Sequence, residues 1–359
     1  MTAATVGIVN SLTAGRLPKW APWAILGANW AILLVAFIFV DAADAESGYN
    51  IGAALFLGTI LFDVLLFVIT LLVEGSRQAR DRLVTSLVAT AFIIALLPLV
   101  SLLFTVVSNG LARFDPAFFS NSMRNIVGEG GGGLHAIMGT LLITLAAALI
   151  SVPIGLLTSI YLVEYGRGPL AKAITFFVDV MTGIPSIVAG LFAFALFSLI
   201  FHDPGIRFGL GGAVALSLLM IPVVVRSSEE MLKIVPNELR EAAYALGVPK
   251  WLTILKVVIP TALAGIATGV TLAISRVIGE TAPLLIIAGY TASMNYDLTS
   301  ERMMSLPVFV YTQYANPGSD VQPYLDRAWA GALTLILIVM LLNLIARLIA
   351  RFFSPKLGR

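Results

Sequence analysis

Apolar residues along this chain gather into eight long runs, separated by short polar segments that carry most of its charge. The runs read as spans over 22–40, 51–73, 83–108, 135–163, 172–201, 207–226, 260–288 and 328–350. About 20 helical residues suffice to cross roughly 30 Å of hydrocarbon. The fold class expected is therefore all-α, a polytopic membrane protein of about eight spans. Composition agrees: 59% of residues are hydrophobic and 12% charged, where soluble proteins carry about a quarter charged.

The charges sort by side. Sixteen of the 22 Lys and Arg residues lie in the N-terminus, the loops near 74–82, 164–172 and 226–259, and the C-terminus. Five lie in the alternate loops, including none in Asp41-Ala-Ala-Asp44-Ala-Glu46, and Arg276 falls inside a span. Positive charge stays on the cytoplasmic side, so both termini are expected there. The first residues lack the basic start and cleavage site of a signal peptide. With no cysteine, disulfide and thiol chemistry are excluded.

Three regions are expected: a tail and two-span hairpin over 1–75, a six-span core over 83–353, and a cytoplasmic loop over 227–259 within that core. The charged linker Glu74–Arg82 separates hairpin from core. Asp63, inside the second run, is expected to be either neutral or partnered in a structural role, because a carboxylate in hydrocarbon is costly. Phe114–Phe119 reads as a short amphipathic segment on the outer surface. Gly128-Glu-Gly-Gly-Gly-Gly133 reads as a flexible join. It is not a phosphate loop of the Walker type, since no Lys-Ser/Thr follows it. Asp179 and Thr182-Gly-Ile-Pro-Ser186 fall within the fifth run, where Pro185 removes a backbone donor. Such a break survives in a membrane only where protein or a water-filled cavity satisfies the freed groups. Arg226, Glu229 and Glu230 read as interface anchors. Five tyrosines, Tyr290, Tyr296, Tyr311, Tyr314 and Tyr324, mark 289–327 as an outer docking loop.

The seventh run carries candidate chemistry. Thr261, Gly265, Thr268, Ser275 and Gly279 recur at helical spacing as a small, polar stripe suited to close packing or to lining water. Arg276 and Glu280, four residues apart, are expected as neighbours at its edge. Arg276 lies sixteen residues past Pro260, about 24 Å of rise, deep in the membrane. A planar guanidinium suits a tetrahedral oxyanion. The pair either serves an anion path or locks helices together. Substrate-path candidates are Arg276, Glu280, Thr281, Ser275 and Thr268. Pro185, Gly279 and Pro283 are candidate hinges. His135 and His202 have no metal-site spacing, no hydrolase motif occurs, and nothing points to nucleic acid.

Glu241-Ala-Ala-Tyr-Ala-Leu-Gly247 is a polar, helix-prone segment between long apolar runs. Pro236 suits its start and Gly247 its end. Ala242 and Ala243 are expected to leave one face flat enough to enter another protein's groove. Nine residues separate Gly247 from Val257-Val258-Ile259-Pro260. This layout resembles the coupling loop of ABC-transporter permeases, so Glu241, Ala242, Ala243, Leu246 and Gly247 are the expected ATPase-coupling residues.

Further matches lie in Ile160–Gly166, Gly183–Phe192, Arg226–Gly247 and Arg276-Val-Ile-Gly-Glu-Thr-Ala-Pro-Leu-Leu285. With these the chain resembles the PstA-type permeases of bacterial phosphate ABC importers. The resemblance implies a type I importer (MetI-like) core, here with two extra N-terminal helices, in the bacterial inner membrane. It implies that Arg276 and Glu280 lie on the phosphate path. It also implies a homologous second permease subunit, an ATPase dimer carrying the ATP-Mg, and an external phosphate-binding protein. The chain itself would be no enzyme and hold no cofactor. A sulfate or molybdate importer is the nearest alternative, and an ATP-independent secondary transporter the next.

Overall fold

The computed structural model describes residues 17–18, 20–41 and 51–353. The acidic loop after Asp41, most of the N-terminal tail, Lys356 and Arg359 lie outside the described residues. The chain divides into two compact units, one ending at Leu103 and the other beginning at Phe104.

In the first unit, α1 (Ala21–Asp41) and α2 (Ile51–Val73) pair. Gly58 permits it, since a Cβ there would lie 2.8 Å from Cδ1 of Trp30. Trp30 Nε1 donates to Thr59 at 3.2 Å. Asp63 is partnered: Ser86 donates its hydroxyl to Oδ1. The expected linker is largely helix instead. Only Glu74 and Gly75, the glycine at φ +92°, separate α2 from α3 (Ser76–Gly110). The glycine supplies a left-handed turn, and the Arg- and Ala-containing stretch after it favours helix. Glu74 accepts from Arg82 at 2.8 Å and from the Leu17 backbone N–H at 2.6 Å.

The second unit contains α4 (Pro116–Ser120), α5 (Leu134–Ile160), α6 (Pro169–Thr182), α7 (Ser186–Phe201) and α8 (Gly209–Ile234). It continues with α9 (Asn237–Ala245), α10 (Lys250–Thr253), α11 (Ile259–Val277), α12 (Ala282–Ile287), α13 (Leu306–Ala315) and α14 (Gln322–Phe353). Helix α8 is the centre: α5, α6, α7, α11 and α12 all touch it. Small residues set these contacts. Gly155 of α5 faces Val224, and Gly265 and Gly269 of α11 face Met231 and Ser227.

Among the described residues, seven helical stretches are long and apolar enough to cross a membrane. The remaining expected span, the fifth at 172–201, is not one rod. Helices α6 and α7 meet at 109°, and their 14 and 16 residues reach only about 21 and 24 Å. Eight crossings follow if the bent pair counts as one. Pro185 does not kink a helix; it precedes the first turn of α7 with φ −58° and ψ 136°, where a missing N–H costs nothing.

Two further features differ from expectation. The glycine run is clamped rather than flexible. Arg327, 1% exposed, donates Nη1 to the carbonyls of Gly128 (2.6 Å) and Gly130 (3.0 Å). Arg113 reaches Gly131 at 2.8 Å. A Cβ on Gly132 would lie 2.5 Å from the Phe118 carbonyl oxygen, so chain packs on chain here. Helix α4 is correspondingly a plug: Phe118 is fully buried and meets Phe119 and Phe309 edge-on. The loop 289–327 likewise dips into the core. Met303, Met304, Leu306, Val308 and Phe309 are buried, while Tyr290, Tyr296, Tyr311 and Tyr314 stay exposed and Tyr324 stacks under Arg327.

Candidate functional site

The polar segment after α8 forms a site of its own. Helix α8 continues to Ile234, eight residues past Arg226, where the loop was expected to begin. Pro236 then precedes the nine residues of α9. Gly247, at φ +76°, closes α9 in the left-handed conformation that glycine adopts freely. Glu241, Ala242, Leu246 and Gly247 are exposed, Leu246 at 84%. Ala243 is buried. The two alanines therefore do not share a flat face, because successive helical residues point about 100° apart. Leu239, Tyr244, Leu246 and Trp251 form exposed apolar surface around α9.

What holds α9 was not visible in the sequence. Arg240 donates Nε and Nη2 to Glu164 Oε1 at 3.0 and 2.9 Å. It also reaches the carbonyls of Val235 (2.6 Å) and Leu232 (3.0 Å) and Oδ1 of Asn237 (3.2 Å). A guanidinium has five N–H donors, and these five bonds match them in number. Arg240 thus satisfies the last carbonyls of α8, which no intrahelical donor reaches, and ties α9 to the end of α5. Lys250 donates to the Glu164 carbonyl and sits 4.7 Å over the Tyr165 ring. Tyr161–Tyr165 and Ile254–Val258, on either side of this cluster, are both single π-helical turns, the kind of turn that recurs at functional positions.

The structure does not form the expected Arg276–Glu280 pair. Helix α11 stops at Val277, and the Glu280 N–H bonds the Val277 carbonyl at 3.1 Å in a turn. The four-residue spacing that makes neighbours on a helix therefore does not apply. Arg276 is exposed and has no ion pair among the described residues. Pro283 is the second residue of α12 rather than a break within a helix. It is buried, and Gly190 of α7 lies against it, a Cβ there falling 2.6 Å from Pro283 Cα. Gly279 has open space around it. Thr268 is exposed and bonds its own helix at Ala264 (2.9 Å). The Ser275 hydroxyl is buried without a hydrogen-bond partner among the described residues, and Thr281 precedes α12.

Charges that sequence reasoning treated separately meet here. Arg226 pairs with Asp179 of α6 and with Glu229 at 2.9 Å, and Lys233 meets Glu229 at 2.7 Å. The available signal was that Asp179 stood alone within an apolar run.

The family model described as "Binding-protein-dependent transport system inner membrane component" matches residues 151–359. The phosphate transport system permease protein PstA 1 of Mycobacterium tuberculosis is 46% identical over 286 residues, 79% of this chain and 91% of that protein. PstA of Pasteurella multocida is 40% identical over 282 residues, 78% of this chain and 96% of its own. A chain of the MetNI methionine ABC transporter superposes with a TM-score of 0.49 at 20% identity, covering 60% of this chain and 94% of that one.

Proposed function

The chain belongs to the family of binding-protein-dependent transport system inner membrane components, and from that premise we propose that it is the permease subunit of an ATP-driven importer of inorganic phosphate. The observation that carries this is the exposed helix α9, fixed through Arg240 to Glu164, in a chain closely similar to phosphate transport system permease proteins. ATP-Mg binds a separate ATPase dimer. A second, homologous permease subunit completes the pathway, and an external phosphate-binding protein delivers the anion. The membrane is the bacterial inner membrane, with both termini cytoplasmic.

The mechanism is alternating access. Closure of the ATPase dimer moves α9, with Glu241, Ala242, Leu246 and Gly247 toward the partner. Because Arg240 spends its donors on α5 and α8, α9 passes on displacement without swinging freely. The breaks at Pro185 and at Gly279–Pro283 take up the rocking. Arg276, without an ion pair among the described residues, offers its planar fork to the anion, and Glu280, Thr281, Ser275 and Thr268 are the further candidates for its path.

The test is uptake of radiolabelled phosphate into proteoliposomes holding the chain and its co-purifying partners, with and without ATP and binding protein. Sulfate and molybdate are the competitors. Uptake that needs ATP and resists both competitors is expected. Uptake of another anion overturns the substrate, and uptake indifferent to ATP overturns the class.

A further inference from the structure

At the outer end of α8, the segment from Phe201 to Phe208 and the stretch after α12 enclose an open pocket of about 610 Å³. Arg207 and Arg302 line it together. Both stems converge on Gly289, which has φ +79°. A Cβ at Gly289 would lie 2.9 Å from Cδ of Arg207 and 3.3 Å from Cδ of Arg302. The two δ-carbons are therefore no farther apart than the sum of those distances.

Arg207 donates Nε to the Ile286 carbonyl at 3.0 Å, which orients its guanidinium and leaves both η nitrogens without an acceptor among the described residues. Two carboxylates also line the pocket, Asp203 and Glu301, yet neither forms an ion pair with either arginine. Asp203 instead accepts the Gly205 N–H at 2.8 Å. Thr291, also on the wall, accepts the Ser293 N–H at 3.2 Å, which leaves its O–H to donate. Neither arginine is ion-paired among the described residues, although Asp203 and Glu301 share the wall, and two cationic stems brought this close at Gly289 repel each other. A tetrahedral oxyanion between them removes that repulsion and accepts from both planar forks.

We propose that this pocket is a capture site for a tetrahedral oxyanion at the outer mouth. It is loaded before the anion reaches Arg276, from which the six-residue α12, about 9 Å of rise, separates it. Its outward position and its place ahead of Arg276 rest on the function proposed above.

The test is equilibrium dialysis of radiolabelled inorganic phosphate against the purified full permease complex without the binding protein, with sulfate run in parallel. R207Q and R302Q are expected to weaken binding by about tenfold or more, the scale of a charged hydrogen bond. R302K keeps the charge and is expected to retain more than R302Q, and R276Q, run in parallel, reads any binding at the pathway arginine. Thermal melting of each variant separates a lost site from a lost fold, and the comparison is made on variants that melt like the parent. Unchanged binding in both R207Q and R302Q overturns the proposal, as does binding lost only in R276Q or no binding of either anion. Arginine-dependent binding of sulfate but not phosphate upholds the capture site and overturns the phosphate assignment instead.

Discussion

Arg240 and Glu164 lie 76 residues apart and meet at 2.9 Å, with side chains only 12% and 5% exposed. The pair joins the exposed helix α9 to the end of a membrane-spanning helix. Removing one member of a buried pair leaves the other uncompensated and costs about 3 kcal/mol or more. Glu164→Gln and Arg240→Ala are therefore expected to lower ATP-driven phosphate uptake several-fold while the chain still inserts. A double-mutant cycle on uptake and on ATPase co-purification checks this: additive effects would mean that the pair does not act as a unit.

Gly247 sits in open space at φ +76°. A Cβ at Gly247 meets no neighbour, so the cost of Gly247→Val is chiefly the left-handed backbone, about 1–2 kcal/mol. Glu241 is exposed, and Glu241→Lys leaves this chain's packing untouched. Both variants are expected to insert normally and to lose uptake through the ATPase contact. Normal uptake by both would remove α9 from the coupling path.

Arg276 has no ion pair among the described residues and is exposed. Arg276→Ala should accordingly abolish transport while the complex elutes intact on size exclusion. Dissociation of the complex would assign Arg276 to subunit assembly instead.

Two glycines make a contrasting pair. A Cβ on Gly139 would lie 1.9 Å from the Met304 carbonyl oxygen, whereas one on Gly279 meets nothing. Gly139→Ala forces α5 away from the 303–309 segment, and overpacking of this kind costs about 1–3 kcal/mol. Gly279→Ala should melt like the parent. Thermal unfolding in detergent reads both, and equal melting temperatures would refute the packing argument.

Asp297 is held below the usual carboxylate range by the Thr299 hydroxyl first, then by the Thr299 N–H and the Ser300 hydroxyl. A depressed folded pKa stabilises above the ordinary value of about 3.9, and that contribution is lost as pH falls through the folded value. Hydrogen exchange over 295–302 should therefore stay slow to below the ordinary Asp range and then quicken. Asp297→Asn should flatten that dependence, and an unchanged profile would exclude Asp297 as its source.

The spans, the break at Pro185, the turn at Gly247 and the segment Glu241–Gly247 were legible in the sequence. Each depends on neighbours within a few residues: apolar length, a missing N–H, a left-handed φ. The tertiary structure alone decided what those elements do to one another. Arg327 clamps a glycine run 199 residues away, which turned an expected flexible join into a packed plug. Arg226 finds Asp179 across 47 residues. Arg276 and Glu280 part because the helix between them ends. Arg207 and Arg302 come together only where Gly289 lets both stems approach. Local spacing sets how far a helix runs, but the angle at each break and the rotation of each helix decide which side chains meet, and those follow from packing across the whole chain.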